Sequence, residues 1–88
     1  MNWQHCSLLV GNERGVHGRV ATRLAEIAAE YGVLLQISRG DETVDCSSIL
    51  DVLALALVQG TEIRLHAGGD KAEQALRAAQ AVVTGQDD

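Results

Sequence analysis

Apolar positions along the chain fall into short blocks whose spacing changes from a period of two to a period near 3.6 and back. Cys6, Leu8 and Val10 share one face of an extended segment that stops before Gly11-Asn12, which predicts a first strand. Val20, Leu24, Ala28 and Tyr31 then recur at helical spacing, Ala21, Ala25 and Ile27 widen the stripe, and Gly32 stands where a helix would stop. Val33 to Ile37 reads as a second strand, Gly40-Asp41 as a turn and Thr43-Val44 as a brief third strand, together a hairpin. Ser48 precedes Ile49, Val52, Leu53 and Leu57 and has Asp51 three residues later. This is the pattern of a capped helix start, and Gly60 ends the element. From Thr61 to Ala67, Ile63, Leu65 and Ala67 alternate with Glu62, Arg64 and His66, a strand with one wet face. Gly68-Gly69 turns the chain, Asp70 with Glu73 forms a second capping pair, and Ala72, Leu76, Ala79 and Val83 line a final helical stripe.

Strands with one polar face and helices with one apolar stripe predict an α+β fold. The expected arrangement is an open two-layer β-α-β-β-α-β-α sandwich, a four-stranded, mainly antiparallel sheet with three helices on one face. Eighty-eight residues suffice for one core and not two, so 1–88 is expected to form a single domain with a frayed tail at 85–88.

Composition narrows the chemistry. The 47% hydrophobic fraction comes mainly from Ala, Leu and Val, with no Phe and only Trp3 and Tyr31 as large rings, so platforms for stacking bases are missing. Seven Lys and Arg in a chain of net charge −5 cannot form a phosphate-tracking stripe, and nucleic acid is not an expected partner. Cys6 and Cys46 have neither the count nor the spacing of a disulfide framework or a zinc site and read as buried or half-buried thiols. His5 and His66 each occupy a strand position without a second ligand at metal spacing, which predicts two solvated histidines and no metal centre. No basic-then-apolar leader opens the chain, and the longest apolar run, Ile49 to Val58, is broken by Asp51 and too short to span a bilayer. These features predict a cytoplasmic protein without membrane insertion, and nothing in the sequence demands more than a monomer.

The informative stretch is Asn12 to Ala21, where glycine-flanked His17 sits at the predicted start of the first long helix. Unpaired N–H groups of a first helical turn and the positive end of the helix dipole suit a phosphate. The same field disfavours an imidazolium, which leaves the ring neutral and nucleophilic. Arg19 offers a planar fork of donors to phosphoryl oxygens, and Gly18 keeps the approach uncrowded. A neutral imidazole attacking phosphorus gives a phosphohistidine, which divides one transfer into two easier ones. A lone histidine at such a position is also commonly a cap or a solvated surface residue.

Gly15-Val16-His17-Gly18-Arg19-Val20-Ala21 resembles the Gly-Leu-His-Ala-Arg-Pro-Ala signature of the HPr phosphocarrier family of the bacterial sugar phosphotransferase system. Val44-Asp45-Cys46-Ser47-Ser48-Ile49-Leu50 resembles that family's second segment at the family's separation. The resemblance implies a phosphorylated Nδ1 on His17, with Arg19 stabilising phosphoryl charge. It implies a carrier that accepts phosphate from a phosphoenolpyruvate-dependent enzyme I and donates it to the A components of sugar permeases. Such a protein is a substrate of phosphotransferases rather than a stand-alone enzyme, and needs no cofactor. It further implies that Val20, Ile49 and Leu50 lie on the docking surface, against the simpler expectation that the apolar side chains Ile49 and Leu50 are core. Ser48 aligns with a serine that an ATP-dependent kinase phosphorylates in some branches, although capping alone explains its residue type. A regulatory member of the family, answering to a serine kinase, a transcription regulator or a nitrogen-branch partner, is the alternative. Two positions depart from the pattern: Val20 stands where the family has Pro, and Cys46-Ser47 where Gly-Lys is common.

Overall fold

Side-chain alternation and helical stripes resolve into seven elements: β1 (Trp3–Leu9), α1 (Gly18–Tyr31), β2 (Leu34–Arg39), β3 (Glu42–Asp45), α2 (Ile49–Ala54), β4 (Glu62–Gly68) and α3 (Ala72–Val83). They come from a computed structural model that describes residues 3–86. The strands form one sheet in the order β1-β4-β2-β3, and every neighbouring pair is antiparallel. The expected α+β sandwich is thus the one formed.

The period-two pattern decides which face is covered. Ile63, Leu65 and Ala67 on β4 and Leu35 and Ile37 on β2 are fully buried, and their neighbours in sequence point the other way. Helices α1 and α3 close over the apolar face with Val20, Leu24 and Ile27 from one and Ala75, Ala79 and Val83 from the other. The opposite face carries a row of His5, His66 and Gln36 across three strands and is open.

Four boundaries differ from the sequence expectation, each for a local reason. Strand β1 begins at Trp3, because Trp3 and His5 pair with Gly68 and His66 on β4 although they add nothing to the core. Helix α2 ends at Ala54, since Ala56 takes a left-handed φ of 52° and sends Leu57 back into the core from a loop. Helix α3 is flanked by Lys71 rather than Asp70 and has no side-chain cap bond, so the expected Asp70–Glu73 capping pair does not form. The tail expectation is corrected at its start: Gln86 N–H reaches the Ala81 carbonyl at 2.9 Å and Gly85 N–H the Val82 carbonyl at 3.3 Å. With Gly85 at φ 87°, this is a Schellman closure rather than a frayed end. Residues 87 and 88 of that expectation lie outside the described residues.

Candidate functional site

The segment between β1 and α1 is shaped by three anchors. Asn12, only 3% exposed, donates through Nδ2 to the carbonyls of Val82 and Val83 at 3.0 and 3.3 Å, tying the loop to the end of α3. Gly15 adopts φ 70°, and a Cβ there would lie 2.2 Å from the Leu57 carbonyl oxygen, so glycine is required both by conformation and by space. Val16 N–H then donates to that same carbonyl at 2.8 Å.

These anchors deliver His17 to the N-cap of α1, with extended backbone at φ −92° and ψ −174°. Its Nδ1 accepts from the Arg19 N–H at 3.3 Å, and the His17 carbonyl takes the first regular helical bond, from Ala21, at 2.9 Å. A 3.3 Å contact is long for an N–H donor, so this cap is readily exchanged for a better acceptor. No acidic side chain occupies the first turn of α1, which leaves the positive end of that helix uncompensated by carboxylates on its own first turn. The ring is half-buried, while Gly18 and Arg19 are exposed. A Cβ on Gly18 would meet nothing within 4 Å, so the chain is uncrowded at the residue next to the ring. His17, Gly18 and Arg19 are therefore gathered at one helix end, with an imidazole nitrogen aimed at a backbone donor that an anion could share.

The second predicted cluster divides. Leu50 is 79% exposed on α2, and Ile49 is half-buried with its side chain packed on the core. Val20 corrects the docking expectation: at 1% exposure it belongs to the interior of α1, and its place in the helical stripe explains why. Ser48 stands at the N-cap position of α2, yet its side chain makes no cap bond, so the capping explanation of the residue is also corrected. The turn is held by Asp45 instead, whose Oδ1 accepts from both the N–H and the hydroxyl of Ser47 at 2.8 Å. Cys46 in the same turn is fully buried, and burial, with the adjacent Asp45 charge adding to it, pushes its thiol up to about 12.

Three contributors were not read from the sequence. Asn12 resembles any turn residue until its partners, about seventy positions away in the chain, are known. The Leu57 carbonyl carries no sequence signal at all. Val58, 65% exposed, has its Cα within 2.9 Å of where a Gly15 Cβ would stand, so it adds an apolar side chain beside the histidine loop. On the open face, the two histidines expected to be solvated are brought together as neighbours. His5 is exposed and His66 half-buried, and their Nδ1 atoms lie 2.7 Å apart.

Residues 5–84 match the family model described as the PTS HPr component phosphorylation site. The phosphocarrier protein HPr of Mycoplasma capricolum is 33% identical over 72 residues, spanning 82% of this chain and 81% of that protein. The phosphocarrier protein NPr of Shewanella violacea is 36% identical over 72 residues, spanning 82% and 79%. The crystal structure of a phosphocarrier protein HPr from Bacillus anthracis superposes with a TM-score of 0.85 at 27% identity, covering 92% of this chain and 96% of that one. A match running from the first strand to the end of the last helix, on a fold of the same topology, leaves one conclusion. The chain belongs to the HPr family, the phosphocarriers of the phosphotransferase system.

Proposed function

We propose that His17 is the residue that carries the phosphoryl group, taking it from a phosphoenolpyruvate-dependent enzyme I and passing it to the A components of sugar permeases. The observation that supports this most is the Nδ1 of His17 facing the Arg19 N–H at the start of a helix with no first-turn carboxylate. In the forward step the Nδ1 lone pair forms a bond to phosphorus as the donor's bond to phosphorus breaks, and the donor keeps that electron pair. The Arg19 N–H, no longer able to bond Nδ1, turns to a phosphoryl oxygen, and the dipole of α1 stabilises the dianion. The Arg19 guanidinium supplies further donors to those oxygens. Onward transfer reverses the same exchange, so the protein acts as a substrate of two phosphotransferases rather than as an enzyme with a pocket of its own. Leu50 and Val58, exposed apolar side chains on α2 and on the loop beside Gly15, form the docking contacts. The cytoplasm is the compartment where these partners meet, and a monomer suffices.

Incubation with phosphoenolpyruvate and the host's enzyme I should give an acid-labile adduct, one phosphoryl heavier by mass, that is missing in His17→Ala. An intact protein that stays unmodified under these conditions, or an adduct that survives in His17→Ala, would sink the assignment.

A second reading has an observation of its own: relatives named HPr and NPr are about equally similar to this chain. In that reading the protein regulates, through a nitrogen-branch partner or through phosphorylation of Ser48 by an ATP-dependent kinase, and Ser48 has a hydroxyl that its helix does not use as a cap. Competition between A components of the sugar and nitrogen branches for phosphate from phosphorylated His17 separates the two, by which acceptor is filled faster.

A further inference from the structure

Strand register brings together, on the face of the sheet away from the helices, two histidines that lie 61 residues apart in the chain. His5 on β1 and His66 on β4 are direct cross-strand partners, their rings meet edge to face with centroids 4.9 Å apart, and their Nδ1 atoms are separated by 2.7 Å. Two imidazole nitrogens at this distance share a single proton. The other nitrogen of His66, Nε2, is 2.9 Å from the Ser38 hydroxyl, which is 2.7 Å from the Thr43 hydroxyl, so the ring is held from behind by a buried serine. On the far side of His5 the indole of Trp3 stacks at 6.4 Å with an interplanar angle of 13°. A cleft of about 420 Å³ opens over the pair, lined by Trp3, His5, Gln36, Thr43 and His66.

We propose that His5 and His66 form a two-imidazole site for a divalent late first-row metal ion, with Cu2+ or Ni2+ favoured over Zn2+. Imidazole nitrogen is a donor that suits all three ions. Affinity for such donors rises along the series to Cu2+ and falls at Zn2+, and the tetragonal preference of Cu2+ and Ni2+ suits a site with two protein ligands completed by water. With metal–nitrogen bonds of about 2.0 Å, adjacent ligands at roughly 90° in a tetragonal site place their nitrogens about 2.8 Å apart, whereas a tetrahedral angle spreads them to about 3.3 Å. The observed 2.7 Å is that of a shared proton, and turning His5 opens the pair to the spacing that the metal requires. Exposed His5 has room to turn until both lone pairs converge on one point, while the Ser38 contact fixes His66, the arrangement in which an outer hydrogen bond orients a ligating ring. Binding is an exchange: the proton shared by the two Nδ1 atoms leaves to solvent, both lone pairs go to the metal, and water fills the remaining positions in the cleft. The site lies on the opposite layer from the helix end that holds His17 and is independent of the phosphocarrier assignment.

Trp3 is the only tryptophan in the chain and reports on its neighbour. Titrating the full chain with Cu2+ near neutral pH should quench its fluorescence to a plateau at one equivalent, and Ni2+, which does not oxidise thiols, should compete for the same site more effectively than Zn2+. His5→Gln and His66→Gln should each abolish the one-equivalent plateau, with unchanged far-ultraviolet circular dichroism to show that the fold persists. His17→Ala should keep the plateau, which excludes the third histidine. Quenching that survives both glutamine variants would place the metal elsewhere, for instance on the terminal amine, and overturn the site. Stronger competition by Zn2+ than by Ni2+ would overturn the tetragonal geometry.

Discussion

The carbonyl of Leu57 accepts the N–H of Val16 at 2.8 Å and stands where a side chain on Gly15 would have to go. This one contact joins the loop after α2 to the loop that presents His17, so His17 is positioned from two sides of the molecule. Gly15→Ala should therefore disturb both. Its left-handed backbone and its contact with Leu57 predict a loss of about 1–3 kcal/mol, seen in urea denaturation, together with slower phosphorylation at His17. A variant as stable and as fast as the parent would mean that the loop has another conformation of equal energy.

Ala56 is the mirror of that case. It is the only non-glycine among the described residues with a positive φ, and it is exposed, so glycine at that position removes strain without removing a contact. Ala56→Gly should raise stability by up to about 1 kcal/mol, the left-handed penalty less the added chain entropy. A fall in the denaturation midpoint would show that the loop gains more from its alanine than the strain costs.

Much of this arrangement was legible before the fold was known, and the division follows range. The stripe from Val20 to Tyr31 and the Gly32 stop define α1 because helical periodicity and its termination are local, and His17 stands out because helix start, glycines and arginine are adjacent in the chain. Helix α2 was read too long for the converse reason. Leu57 continues the apolar spacing, and nothing nearby announces that Ala56 will turn left-handed. Val20 was assigned to a docking surface by its place in a motif, although its own periodicity put it in the core. The His5–His66 pair was invisible, since cross-strand register depends on how β4 inserts between β1 and β2.

Arg19 is exposed, and its guanidinium is not part of the core, so its removal should act on chemistry rather than folding. Arg19→Ala should slow phosphoryl transfer at His17 by about 10–100-fold, the worth of one or two charge-assisted donors on a developing dianion, with a stability change within about 0.5 kcal/mol. Arg19→Lys should recover part of the rate, since charge returns without the planar fork. Rates equal to the parent in Arg19→Ala would remove the guanidinium from the mechanism.

Because the Ser48 hydroxyl makes no cap bond, Ser48→Ala should change stability by no more than about 0.5 kcal/mol, where loss of an engaged N-cap costs about 1. Thermal denaturation decides between these values. Asp45→Ala, which strips both bonds to Ser47, should be the more damaging substitution in this turn, and the reverse order would restore Ser48 to a capping role.

His66 gives the protein a pH response. Desolvation first, then the charges of His5 and Arg64, hold its imidazole below the ordinary value of 6.5. The unfolded chain, whose His66 titrates near 6.5, then binds the proton more readily than the folded one. The contribution of this residue is complete above that pH and declines as the pH falls from 6.5 toward the lower folded-state value. Carboxylates also weaken the fold in acid, so the comparison must be with a variant rather than with neutrality alone. His66→Gln removes the titration and keeps a polar partner for Ser38, and its melting temperature should fall less than the parent's between about pH 7 and pH 5. Parallel curves for the two proteins would mean that the paired imidazoles accept a second proton in the folded state as easily as a free histidine does.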